Sequence, residues 1–232
     1  MTNPIEKFYS FLARPIFPLG RLLLLLGVIA LALSFTAPLW RITLTAPQYP
    51  SSLYVDIFSY KVEGGNHGQH LTEINIINHY IGMRRIDRSS LADLDWMPFV
   101  FAFLALGALR VAAIGEVRSL VDLAVGSIAV FAFAFARFYY RMYTFGHDLA
   151  PDAPVRILPF TPLIFGTRDI ANFTSASYPE RGAYYAGAFL FTVIGVLAWH
   201  LISGRRRAAA DEVRANRTGQ SAALAAAGSI GA

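Results

Sequence analysis

Leu22-Leu23-Leu24-Leu25-Leu26-Gly27-Val28-Ile29-Ala30-Leu31-Ala32-Leu33 holds no charge and no strongly polar side chain, and the fold is read outward from it. The apolar block around it covers residues 19–39, with Lys7, Arg14 and Arg21 ahead of it and Pro38-Leu39-Trp40 closing it. A helix of roughly 20 apolar residues rises ~30 Å, the thickness of bilayer hydrocarbon. A cleaved signal peptide is the competing reading, with Ala32-Leu33-Ser34 as its cleavage site. The length of the apolar run and of the basic lead weighs against it.

Three further blocks repeat the pattern, at 97–114, 120–136 and 183–202. Composition agrees: 55% of the 232 residues are hydrophobic, 14% aromatic and 15% charged, against about 25% charged in soluble domains. A soluble chain this apolar would lack the polar surface to cover its core. There is no cysteine, which excludes disulfides, thiolate zinc, iron–sulfur ligation and cysteine nucleophiles. The net charge of +5 resides largely in arginines that flank the blocks, with no basic stripe interleaved with aromatics. Nucleic acid is therefore not an expected partner; the bilayer is.

Basic residues precede block one, occupy the link at 115–119 (Arg118, with Arg110 one turn inside block two) and follow block four as Arg205-Arg206-Arg207. By the positive-inside rule these positions face the cytoplasm. The expected fold is an all-α membrane protein of four transmembrane helices in the bacterial inner membrane, with both termini cytoplasmic. Residues 1–18 form the N-terminal segment, and 203–232, rich in Ala, Gly and Ser, a disordered tail. Two extracytoplasmic segments remain, 40–96 and 137–182, and they carry four of the five histidines.

In the first segment, Ile42 and Leu44 alternate with Thr43 and Thr45, and alternation returns from Leu53 to Val62. That period predicts a β-hairpin or small sheet. Glu63-Gly64-Gly65-Asn66-His67-Gly68-Gln69-His70 reads as a flexible tip, and 73–83 as a short helix on the membrane surface. The second segment, with Pro151, Pro154, Pro159, Pro162 and Pro179, reads as a shaped loop without long helices.

His79 and Met83 are spaced i to i+4, which on a helix puts imidazole and thioether on one face. Without thiolate, that donor pair suits copper, Cu(I) above all; the plainer reading is an amphipathic interfacial turn. His147, in Phe145-Gly146-His147-Asp148-Leu149-Ala150-Pro151-Asp152, emerges on the same side, where Asp148 or Asp152 would orient its second nitrogen; the plainer reading is a loop cap. His67 and His70 read as a solvated turn and His200 as an interfacial anchor. Arg137 and Arg141 oppose the positive-inside trend, so either they pair with Asp93, Asp95, Asp148 or Asp152, or they snorkel. Asp122 is expected opposite Arg110. Asn172-Phe173-Thr174 is a sequon too common to carry weight. No phosphate-binding loop, zincin helix, Ser–His–Asp order or haem-like histidine pair is present, so enzymatic activity is not expected.

Pro38-Leu39-Trp40, Ala46-Pro47-Gln48-Tyr49-Pro50, Ile74-Asn75-Ile76-Ile77-Asn78-His79-Tyr80-Ile81-Gly82-Met83, Gly146-His147-Asp148-Leu149, Asn172-Phe173 and Ser177-Tyr178-Pro179 carry a resemblance in that order. The chain resembles a family of small four-helix bacterial membrane proteins encoded beside nitrous oxide reductase and its copper-maturation factors. The resemblance implies a part in assembling or supplying the copper centres of a periplasmic enzyme, with a periplasmic or membrane protein as partner. It adds weight to His79, Met83 and His147 as metal ligands. His67, His70 and the basic tail lie outside it. The alternative is a non-catalytic structural or docking subunit of a larger respiratory or photosynthetic membrane complex, anchored through Tyr, Trp and Arg. A quinone-linked redox protein is the third reading, without a cofactor fingerprint to support it.

Overall fold

The computed structural model describes residues 12–170 and 173–204. In chain order it contains α1 (Pro18–Leu33), β1 (Trp40–Ala46), β2 (Tyr49–Ile57), β3 (Val62–Gly64), α2 (Gln69–Tyr80), α3 (Asp93–Ile114), α4 (Val117–His147), β4 (Gly166–Ile170), β5 (Phe173–Pro179) and α5 (Arg181–Gly204). A short 3-10 turn, Ser34–Thr36, extends α1. The four helices α1, α3, α4 and α5 are each long and apolar enough to cross a membrane.

Their packing is that of a bundle in lipid. Leu24 and Leu31 of α1 meet Phe101, Leu104 and Ala108 of α3, Leu120 of α4, and Phe189 and Val193 of α5 in one buried core. The outward faces are equally apolar: Phe99, Phe103 and Phe191 remain 76%, 75% and 73% exposed. In water such a surface would associate without limit, whereas in a bilayer it is the solvated face. The chain is a multi-pass membrane protein.

At one end of the bundle, the backbone before α1 pairs with the α3–α4 link, through Ile16 N–H to Gly115 C=O and Val117 N–H to Arg14 C=O. At the other end, both long connections join one antiparallel sheet of order β3-β2-β1-β5-β4. β1 pairs with β2 from Trp40↔Ile57 to Ala46↔Tyr49, and with β5 from Trp40↔Pro179 to Thr45↔Thr174. The central strands thus come from different connections. Glu180 N–H to Leu39 C=O and Gly182 N–H to Pro38 C=O carry the ladder on to the start of α5. A Cβ at Gly182 would lie 2.5 Å from the Ala37 carbonyl oxygen, so only glycine admits this approach.

Several expectations change. The second connection is not simply a shaped loop: its proline-rich part is irregular, but β4 and β5 follow as a hairpin. α4 continues to His147, well beyond the expected end at 136, because its last turns bury Met142 and Phe145. α3 begins at Asp93 rather than 97, and the 115–119 link shrinks to Gly115-Glu116, with Gly115 left-handed at φ 75°. The short helix α2 starts earlier, at Gln69, and buries Ile74 against Leu53 and Val55, so its apolar face is given to the sheet rather than to the membrane. Trp40 is a strand residue, its indole N–H donating to Ser177 Oγ at 2.8 Å. No ion pair joins Arg110 to Asp122. The N-terminal segment up to residue 11, Asn172 of the sequon and the basic tail from Arg205 lie outside the described residues.

Gly146, in the last turn of α4, docks the second connection: its C=O accepts from Phe160 N–H at 3.0 Å, and a Cβ there would collide with the Phe160 carbonyl oxygen. Gly146→Ala is expected to cost about 1–3 kcal/mol, the scale of overpacking. The check is thermal unfolding in detergent, with Gly126→Ala, whose added methyl meets open space, as the control expected to leave stability unchanged or slightly raise it.

Candidate functional site

The C-terminal end of α2 organises the extramembrane unit. Gly82 adopts φ 77°, which glycine accepts readily and other residues do not. Met83 N–H bonds to Asn78 C=O at 2.8 Å and Gly82 N–H to His79 C=O at 3.3 Å, the paired bonds of a Schellman cap. Asn75 then brackets the returning chain, its amide donating to Ile86 C=O at 3.0 Å while its oxygen accepts from Ile86 N–H at 2.7 Å. The second connection clasps the same cap from outside. Ala150 N–H bonds to Gly82 C=O at 2.8 Å, and Val155 N–H to Tyr80 C=O at 2.9 Å.

These bonds fix where the candidate ligands read from the sequence lie. The helix stops at Tyr80, so the helical i to i+4 face does not exist for His79 and Met83; the Schellman turn folds Met83 back instead. Both residues line one open concavity with Thr72, Asn75, Ile76 and Arg85. His79 is exposed and Met83 half-buried. Arg85 adds positive charge at the rim, which opposes a cation held by this chain alone. His147 lines a different cleft, with Ile81, Leu149 and Pro159 among its walls. The three residues are therefore divided between two concavities.

His147 is nevertheless oriented. Its Nδ1 lies 3.0 Å from the Tyr143 carbonyl, which can only accept, so Nδ1 is the donor of that bond and Nε2 lies outside it. The ring stacks on Tyr143 with centroids 3.9 Å apart. The orienting partner is thus a backbone carbonyl, and Asp148 is instead ion-paired with Arg84. His70 is structural: its Nδ1 accepts from Tyr54 N–H at 3.3 Å and its ring packs edge-on against Tyr54. Phe17 stacks on His200 at 4.5 Å, away from the sheet. Among the described residues no three His, Asp or Glu side chains gather as a metal cage.

One feature was missed by sequence reasoning, and another was narrowed there only to a choice of partners. One is an apolar chamber of about 100 Å³ between the sheet, α2 and the end of α4, with Met83 and Met142 in its walls. Its lining comes from six separated segments, and no local pattern announces it. The other is the charge cluster beneath the sheet. Arg137 Nε and Nη2 donate to Asp93 Oδ1 and Oδ2 at 2.9 and 3.3 Å, Arg141 Nε donates to Oδ2 at 2.8 Å, and Trp96 Nε1 adds a fourth bond to Oδ1 at 3.2 Å. The four carboxylates named for these arginines included the right one, but adjacency in three dimensions decides which. On the sheet, Arg41 forms a bidentate pair with Asp56 at 2.6 and 2.7 Å. That hydrogen bond holds the guanidinium above its ordinary pKa, against the opposing effect of burial.

No protein-family model, curated protein or solved structure matches this chain.

Asp93 is buried while serving two guanidiniums, whereas the Arg88–Asp95 pair is exposed. Asp93→Ala is expected to lower the melting temperature in detergent by several degrees, since it strands both arginines. Arg88→Ala is expected to shift it by about a degree or less. Circular dichroism melts of both variants make the check.

Proposed function

We propose that this chain is a membrane-anchored, non-enzymatic accessory protein that handles Cu(I) for a periplasmic copper enzyme of the nitrous oxide reductase type. In this reading the termini are cytoplasmic and the sheet-bearing end faces the periplasm, in the bacterial inner membrane. The observation that carries the proposal is the meeting of His79 and Met83 in one open concavity. An imidazole and a thioether form a soft donor pair suited to Cu(I). Two donors beside Arg85 leave the ion under-coordinated, so the partner completes its shell and supplies compensating charge. Such a site hands copper over rather than storing it. His147, with Nδ1 committed to Tyr143 and Nε2 free to coordinate, offers a second, single-donor position on the same unit. No redox or hydrolytic step is assigned to the chain.

A docking subunit of a larger membrane complex is the second reading. It is favoured by the apolar side chains the second connection leaves in solvent, Leu158 at 86% and Phe165 at 63% exposure. Anaerobic Cu(I) titration of the detergent-purified chain against a chromogenic chelator separates the two. The copper reading expects His79→Ala with Met83→Leu to weaken binding at least about tenfold, the scale of losing even a ligand's outer-shell partner. His147→Ala is expected to have a smaller effect. Equal Cu(I) affinity in the wild type and the double variant removes the site and leaves the docking reading.

A further inference from the structure

Two guanidiniums share one carboxylate at the sheet end of the bundle, and the surplus has a geometry. Arg137 and Arg141, one turn apart on α4, spend both Nε atoms and one terminal nitrogen on Asp93. Among the described residues, Arg137 Nη1 and Arg141 Nη1 and Nη2 make no hydrogen bond, yet none of these atoms is sealed from solvent. Of the other acids at this end, Asp95 pairs with Arg88, Asp148 with Arg84 and Glu180 with Arg41. The cluster therefore carries a net positive charge and several unpaired N–H donors.

Its depth says what those donors face. Arg137 lies about 30 Å along the axis from Val117, since 20 residues of helix rise that far, and this equals the hydrocarbon thickness of a bilayer. Asp93, at the opposite end of the 22-residue α3, marks the same level independently. Arg141 lies one turn further along α4, about 6 Å beyond that length. The surroundings match that interface: Trp96 donates to Asp93, and the Arg137 guanidinium lies 5.6 Å from the centroid of the exposed Tyr140 ring.

We propose that Arg137 and Arg141, held by Asp93, form a binding site for the phosphate headgroup of an anionic phospholipid. A guanidinium presents a planar fork of donors that matches phosphate oxygens. Asp93 holds Arg137 through Nε and Nη2 and Arg141 through Nε, which leaves Arg137 Nη1 and both terminal nitrogens of Arg141 for the phosphate. The lipid neutralises the surplus charge and fixes the bundle's depth under the sheet. The site is independent of copper handling.

Native mass spectrometry of the full chain, taken from nanodiscs of phosphatidylcholine doped with phosphatidylglycerol, reads the retained lipid. The wild type is expected to retain phosphatidylglycerol preferentially, and Arg141→Gln to reduce that preference roughly fivefold, the effect of one basic residue at an anionic surface. Asp93→Asn separates binding from folding: melting temperature falls while the preference for phosphatidylglycerol is kept or rises, since more donors are freed. A merely structural cluster loses both together, and that result overturns the proposal. So does equal retention of the two lipids by the wild type, which would leave the surplus charge to an acidic protein partner. Displacement of the lipid by millimolar inorganic phosphate overturns it as well, by assigning the donors to a free anion.

Discussion

The antiparallel ladder between β1 and β5 is the constraint on which the rest of the structure depends. α1 runs into β1, and β5 runs through Glu180 into α5, so the strand pairing continues the helix pair beyond the apolar spans. Gly27 of α1 faces Phe189 and Thr192 of α5 within ordinary contact distance of where its Cβ would lie, and Trp40↔Pro179 continues that contact as backbone pairing. Once these strands are adjacent, β2 and β3 extend the sheet on one side and β4 on the other. The two long connections lose their independence.

That loss of independence is what creates the candidate sites. α2 can bury Ile74 only because the sheet already presents Leu53 and Val55. The cap of α2 can then accept Ala150 and Val155 from the second connection, and this clasp sets where His79, Met83 and His147 lie. Below the sheet, α4 outruns the hydrocarbon, so its last turns must find protein partners. Met142 and Phe145 find apolar ones, and Arg137 and Arg141 find Asp93. One element therefore supplies the floor of the chamber and the charged collar beneath it.

The membrane architecture was legible because a bilayer imposes a length and an apolarity that no soluble core demands of a contiguous run. Blocks one to four all became helices for that reason. The β-hairpin of the first connection was legible from its alternation, with Ile42 and Leu44 answering Val55 and Leu53. β4 and β5 were not: Gly166-Thr167-Arg168-Asp169 and Thr174-Ser175-Ala176-Ser177 carry no strong period, and they become strands by pairing with β1 and each other. The end of α4 was misplaced because Arg137 resembles a stop at the membrane surface, while the helix continues on tertiary contacts. The spacing of His79 and Met83 pointed to a shared site for a helical reason that fails at Gly82; the Schellman turn restores the meeting by another route.

The chain has no cysteine, so paired cysteines can report the β1–β5 contact without background. Thr43↔Ala176 and Leu44↔Ser175 are adjacent partners in the register, and neighbouring antiparallel pairs alternate between wide and close Cα spacing. One of the two therefore suits a disulfide. Oxidation of Thr43→Cys/Ala176→Cys and Leu44→Cys/Ser175→Cys variants in membranes, followed by proteolysis between the strands, is the most direct measurement. At least one variant is expected to stay covalently joined across the two connections. Free fragments from both would contradict the single sheet on which the fold and both proposed sites rest.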